Sequence, residues 1–192
     1  GYGFSGRPDK PISRIDIARM WRTLMTDVLG YRRFGAQGGD WGSPITYTLA
    51  QQHADVVGAY HLNLLHVRLG DDPSPEDIAW NRLGAAHAAR EGAYTHQQMT
   101  KPQTIGLALA DSPIGYASWV IEKYRSWSAC GGDLESVFTK DQLITSIMTY
   151  LVSDNVQAAM WLYHSLQSVE PVTEKIPVPL GFSAFKEQVP PP

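Results

Sequence analysis

One carboxylate in this chain stands where a nucleophile could stand. Asp40 is framed by glycine in Gly38-Gly39-Asp40-Trp41-Gly42. A turn of the form small-x-nucleophile-x-small, set between a strand and a helix, is a nucleophile elbow, where backbone strain leaves little room for bulky neighbours. Such turns usually carry a hydroxyl or thiol, which attacks carbonyl carbon and gives an acyl-enzyme. An aspartate changes the reaction class. A free aspartic acid has a pKa of about 3.9, so its carboxylate is ionised at neutral pH and needs no base to activate it. It can attack an sp3 carbon that bears a leaving group and become an alkyl ester. Water then attacks the ester carbonyl, and the negative charge formed there needs N–H donors. The backbone N–H of Trp41, the residue after the nucleophile, is one such donor in an elbow. Gly and Asp also favour ordinary turns, so the flanking elements decide between the two readings.

Those elements fit an elbow. Ser13-Arg14-Ile15-Asp16 has the form of a capping box, and Ile17, Met20, Trp21, Leu24 and Val28 follow at helical spacing up to a stop at Gly30. Residues 31–37 are expected to be a short strand, mainly because of what comes next. From Pro44 to Ala50 a helical pattern resumes, and Val56 to Leu62 reads as a buried strand. Beyond Leu64 the composition becomes helical. A helix is expected from Pro73 to Gly92, with Pro75, Glu76 and Asp77 in its first turn, followed by helices near 104–110, 113–127, 139–152 and 153–167. Thr139-Lys140-Asp141-Gln142 is a second capping box. Residues 177–185, with Val178, Leu180, Phe182 and Phe185, return to strand-like composition. The order predicts a sheet core over 1–65, a helical cap over 66–170 and a resumed core over 171–192.

Bulk composition narrows the function classes. A net charge of −3, with no basic cluster along the 192 residues, gives no footprint for nucleic acid. No run of about 18 apolar residues marks a spanning helix. The single cysteine, Cys130, can form neither an internal disulfide nor a multi-cysteine metal site, which is compatible with a cytoplasmic setting. No cofactor or metal is expected. Six Trp and nine Tyr are plentiful for one domain and its lid. Trp119, Trp127, Met148, Met160 and Trp161 are candidate walls of an apolar cavity.

Several strings taken together resemble one family. Gly1-Tyr2-Gly3-Phe4-Ser5, the Gly38-to-Ser43 turn, Lys101-Pro102-Gln103-Thr104, Asp111-Ser112-Pro113 and Pro179-Leu180-Gly181-Phe182-Ser183-Ala184-Phe185 are similar, in this order, to the microsomal-type epoxide hydrolases. The resemblance implies an epoxide hydrolase of the α/β-hydrolase fold that opens an epoxide to a diol through an aspartyl ester. Asp40 would be the nucleophile. Tyr163, in Trp161-Leu162-Tyr163-His164, would be the proton donor to the epoxide oxygen, and Tyr94 a second hydrogen-bond donor to it. A free phenol, with a pKa of about 10, keeps its proton at neutral pH and can give it to a forming alkoxide. Glu187 would be the acid that orients a catalytic His, although Phe185-Lys186-Glu187 is one residue shorter than the family's Phe-Pro-x-Glu. The implied partners are a small apolar epoxide and water, and a homodimer is compatible with the pattern.

Two family features are absent from this sequence. No His-Gly-Trp-Pro oxyanion-loop string occurs, and none of His53, His61, His66, His87, His96 and His164 follows Glu187. The resemblance therefore implies an internal stretch of a longer enzyme. Each of the six histidines is expected at the surface or in the cap, with His164 nearest the cavity. A haloalkane or haloacid dehalogenase of the same fold would also use an Asp followed by Trp, but would need no tyrosine donors. A non-catalytic hydrolase-like fragment is the other alternative, supported by the missing His. Asn63, where some relatives carry their acid, is uncharged, which favours a later acid such as Glu187. No Gly-x-Ser-x-Gly string supports a serine esterase.

Overall fold

The computed structural model describes residues 1–65, 71–167 and 175–185. They form two compact units, each with its own core. One holds the described residues of 13–92 and 175–185; the other holds Gly1–Ile12 and 93–167.

The first is a sheet unit. Helix α1 (Arg14–Thr23) begins as expected: the Ser13 hydroxyl accepts from the Asp16 amide, and the Asp16 carboxylate accepts from the Ser13 amide. It does not run on to Gly30 in one form. Leu24–Val28 widens into a π-turn, and Gly30 reverses the chain at φ 75°. Ala18 is fully buried where α1 packs on the helix α2 (Gly42–Gln52). Strand β1 is Phe34–Gly38, shorter and later than the expected 31–37, because exposed Tyr31 and its two arginine neighbours find no partner strand. Strand β2 (Val57–Leu62) pairs parallel to β1, and β3 (Leu180–Phe182) pairs parallel to β2 on its other side. Only three residues of the expected 177–185 strand join the sheet.

All three strands run the same way, and Gly38, Leu62 and Phe182 lie in register. The elbow, Asn63 and Ser183 therefore leave from one edge, the carboxyl edge, where open α/β sheets place their ligands. Beneath lies a core of Leu49, Ala50, Val57, Tyr60, Leu62 and Val178.

The second unit is helical. It contains α4 (Ala93–Thr100), α5 (Pro102–Asp111), α6 (Pro113–Trp127), α7 (Lys140–Val152) and α8 (Val156–His164). The Thr139–Gln142 capping box starts α7 in both directions, as expected. The helix expected over 153–167 is interrupted at its start, where Asp154 has φ 53° and Asn155 precedes α8; its end tightens into a 3-10 turn, Ser165–Gln167. Helix α4 is missing from the sequence expectation. Leu109, Tyr116, Ile147, Val156 and Met160 form the core.

The unit boundaries differ from the expected domains in two places. Residues 1–12 group with the helices: Asn155 Nδ2 donates to the Gly3 and Ser5 carbonyls at 2.8 and 3.1 Å, and Tyr2 Oη donates to the Ala159 carbonyl at 2.9 Å. Helix α3 (Pro75–Glu91) groups with the sheet unit, and it buries no residue in the helical core.

Candidate active site

The elbow exists as a backbone feature. Asp40 follows β1 at φ 46°, a left-handed conformation uncommon for a residue with a side chain. Gly42 N donates to Gly39 O at 2.7 Å, and Ser43 N to Asp40 O at 3.0 Å, closing the turn into α2. Gly38 has no room for a side chain, since a Cβ would be driven into the Gly42 carbonyl. Gly39 likewise faces the Asn63 amide. Gly42 differs from the expectation: nothing lies within 4 Å of where its Cβ would be, so packing does not demand glycine there.

The Asp40 carboxylate is exposed, and its Oδ1 accepts a hydrogen bond from Trp41 N at 2.6 Å. The amide expected as an oxyanion donor thus already addresses the carboxyl whose carbon water would attack. If Oδ2 alkylates, Oδ1 becomes the ester carbonyl oxygen and later the oxyanion, with this N–H in place. An N–H in place before charge develops is the arrangement that makes oxyanion hydrogen bonds effective. Asn63 backs the turn, its backbone N–H donating to Gly38 O at 3.3 Å.

Tyr94 and Tyr163 are brought together. They sit on α4 and α8, which pack against each other, with ring centroids 5.7 Å apart at 79°. Both are half-buried and line one cavity of about 470 Å3 within the helical unit. Trp127 packs against Tyr94 with the rings tilted by 59° and their centroids 5.3 Å apart, and the Lys123 ammonium lies 5.6 Å from the Tyr94 ring and 5.5 Å from the Trp127 ring. Such contacts hold a ring in place at about 0.5–2 kcal/mol. Lys123 escaped the sequence reading, although its i,i+4 spacing to Trp127 on a helix was a usable signal.

Of the expected cavity walls, Trp119, Trp127 and Met160 line it. Met148 is exposed instead, and Trp161 turns its Nε1 to Gln103 Oε1 at 3.3 Å. Tyr2, Gln98, Tyr116, Phe138 and Tyr150 complete much of the wall. Burial holds the Tyr116 phenol well above its ordinary range and raises that of Tyr150.

Glu187 and His66 lie outside the described residues. His164 does not line the cavity; its Nδ1 is 2.9 Å from the Met99 carbonyl. His61 departs from the expectation of a surface or cap residue. It sits in β2, half-buried, with Nε2 3.0 Å from Ser183 Oγ, so it joins two strands of the sheet.

No protein-family model matches the chain. In sequence it is similar to Epoxide hydrolase 1 of Sus scrofa, 32% identical over 220 residues that cover 98% of this chain and 48% of that protein. In structure it is similar to the Aspergillus niger epoxide hydrolase, with a TM-score of 0.82 and 29% identity, covering 100% of this chain and 50% of that one. The juvenile hormone epoxide hydrolase from the silkworm Bombyx mori gives a TM-score of 0.75 and 28% identity over 94% of this chain and 43% of that one. The chain therefore spans about half the length of these proteins. These structural relatives are epoxide hydrolases of the α/β-hydrolase fold, and the parallel sheet and helices of this chain match part of them.

Proposed function

From a chain whose homologues are epoxide hydrolases, we propose that this protein opens an epoxide to a diol through an ester on Asp40. The observation that carries the reading is the elbow: a carboxylate held at φ 46° between β1 and α2, with the Trp41 amide on its Oδ1. Asp40 Oδ2 attacks a ring carbon opposite its C–O bond. That bond breaks, and its electron pair goes to oxygen. Tyr163 gives its phenolic proton to this oxygen, while Tyr94 donates a second hydrogen bond. Water then attacks Asp40 Cγ, the electrons move onto Oδ1 beside the Trp41 amide, and collapse expels the diol and restores the carboxylate. The proton released by the water returns to the tyrosine, so the sum is epoxide plus water to diol. The resemblance assigns activation of that water to a His oriented by Glu187, and no His follows Glu187 in this sequence.

The T-shaped tyrosine pair in an aromatic cavity supports an epoxide over an alkyl halide, because a departing halide needs no proton. The test is single-turnover kinetics with styrene oxide in the protein encoded by its whole gene. Tyr163→Phe is expected to slow ring opening by about 10²–10⁴-fold, the usual worth of a general acid. An unchanged ring-opening rate would return Tyr163 to a packing role.

A further inference from the structure

The helical cavity is walled chiefly by aromatic rings, yet one neutral amide lies among them. Gln98 is 4% exposed and lines the cavity. Its side chain forms no hydrogen bond with any described residue, whereas its neighbour Gln97 reaches the Lys101 carbonyl. Gln98 is not one of the described residues' enclosed polar side chains that lack a partner, so its amide stays open to the cavity that it lines. Gln98 stands four residues beyond Tyr94 on α4, so both side chains leave the same face, roughly 6 Å apart along the axis at 1.5 Å per residue.

We propose that Gln98 is a specificity-determining residue: its amide hydrogen-bonds a second, uncharged polar group of the substrate while Tyr94 engages the epoxide oxygen. The inference rests on the epoxide reading above and deepens it. The preferred substrate class is an epoxide on an apolar body that also carries a hydroxyl, ether, amide or ester oxygen roughly 6 Å from the epoxide oxygen. An amide both donates and accepts, so either polarity of group satisfies it.

The discriminating measurement uses two epoxides of nearly equal shape, 3-(hydroxymethyl)styrene oxide and 3-ethylstyrene oxide, with the protein encoded by its whole gene. The wild-type protein is expected to favour the hydroxymethyl compound in kcat/KM by about tenfold, the worth of one hydrogen bond of about 1.4 kcal/mol. Gln98→Leu should abolish that preference. Gln98→Met, closer in shape, should do the same and guards against a folding defect in the leucine variant. Because the readout is a ratio, general damage to the cavity cancels. A wild-type ratio near one, or a preference that survives both substitutions, would overturn the inference. If neither compound is opened by the wild type, the epoxide reading itself fails, which is a separate result.

Discussion

At the scale of single residues, Asp40 occupies its place against local preference. A side chain at φ 46° costs on the order of 1–3 kcal/mol, and the surrounding turn must hold it there. Asp40→Gly should therefore leave the protein at least as stable, by up to about 1 kcal/mol in chemical denaturation, while losing all ester formation. The two glycines beside it should separate. Gly38→Ala drives a Cβ into the Gly42 carbonyl and is expected to cost about 3 kcal/mol or more, whereas Gly42→Ala meets open space and should stay within about 0.5 kcal/mol of wild type. Equal losses in both would contradict the turn as described. The glycine turn around Asp40 was legible from its own residues, whereas the roles given to Tyr94 and Tyr163 came from the family resemblance. Gln98 was not legible, because a glutamine becomes informative only once the fold places it in a cavity wall.

At the scale of elements, legibility followed local chemistry. The capping boxes at Ser13 and Thr139 are contained in four residues each, and both form. Thr139→Ala should cost about 1 kcal/mol in thermal or urea unfolding, and no change would mean that α7 is held by packing alone. Helix α4 escaped because it starts directly after Gly92, which reads as a stop and serves as the C-cap of α3. Strand β3 was overestimated for the opposite reason. Its composition suits a strand throughout 177–185, but pairing with β2 decides its length: Leu180–Phe182 pair there, and beyond them only the Pro179 carbonyl and the Ser183 N–H reach β2, with one hydrogen bond each. The break before α8 turns on Asp154 at φ 53°, with Arg7 Nη1 on its carboxylate at 3.0 Å. That contact comes from a segment about 150 residues away in sequence, which no local pattern reports.

At the scale of the whole molecule, each of the two units carries its own core. The helical core contains a phenol that burial protects from ionising, that of Tyr116, at 5% exposure. A raised folded-state value means that the folded protein holds this proton more tightly than the unfolded chain. The resulting stability is fully present below the ordinary phenol value of about 10 and is lost as pH rises above it. Stability should therefore fall steeply with alkali above about pH 10, and Tyr116→Phe should flatten that fall; equal slopes in both proteins would contradict the assignment. In the proposed mechanism the nucleophile is Asp40 of the sheet unit, and everything proposed for Tyr94, Tyr163 and Gln98 depends on Asp40 carrying the alkyl group. Intact-mass measurement after incubation with styrene oxide, followed by peptide mapping, tests this most directly. The expected result is a gain of one epoxide on the peptide containing Asp40, and no gain in Asp40→Ala. An adduct that persists in Asp40→Ala, or that maps to another residue, would contradict the account.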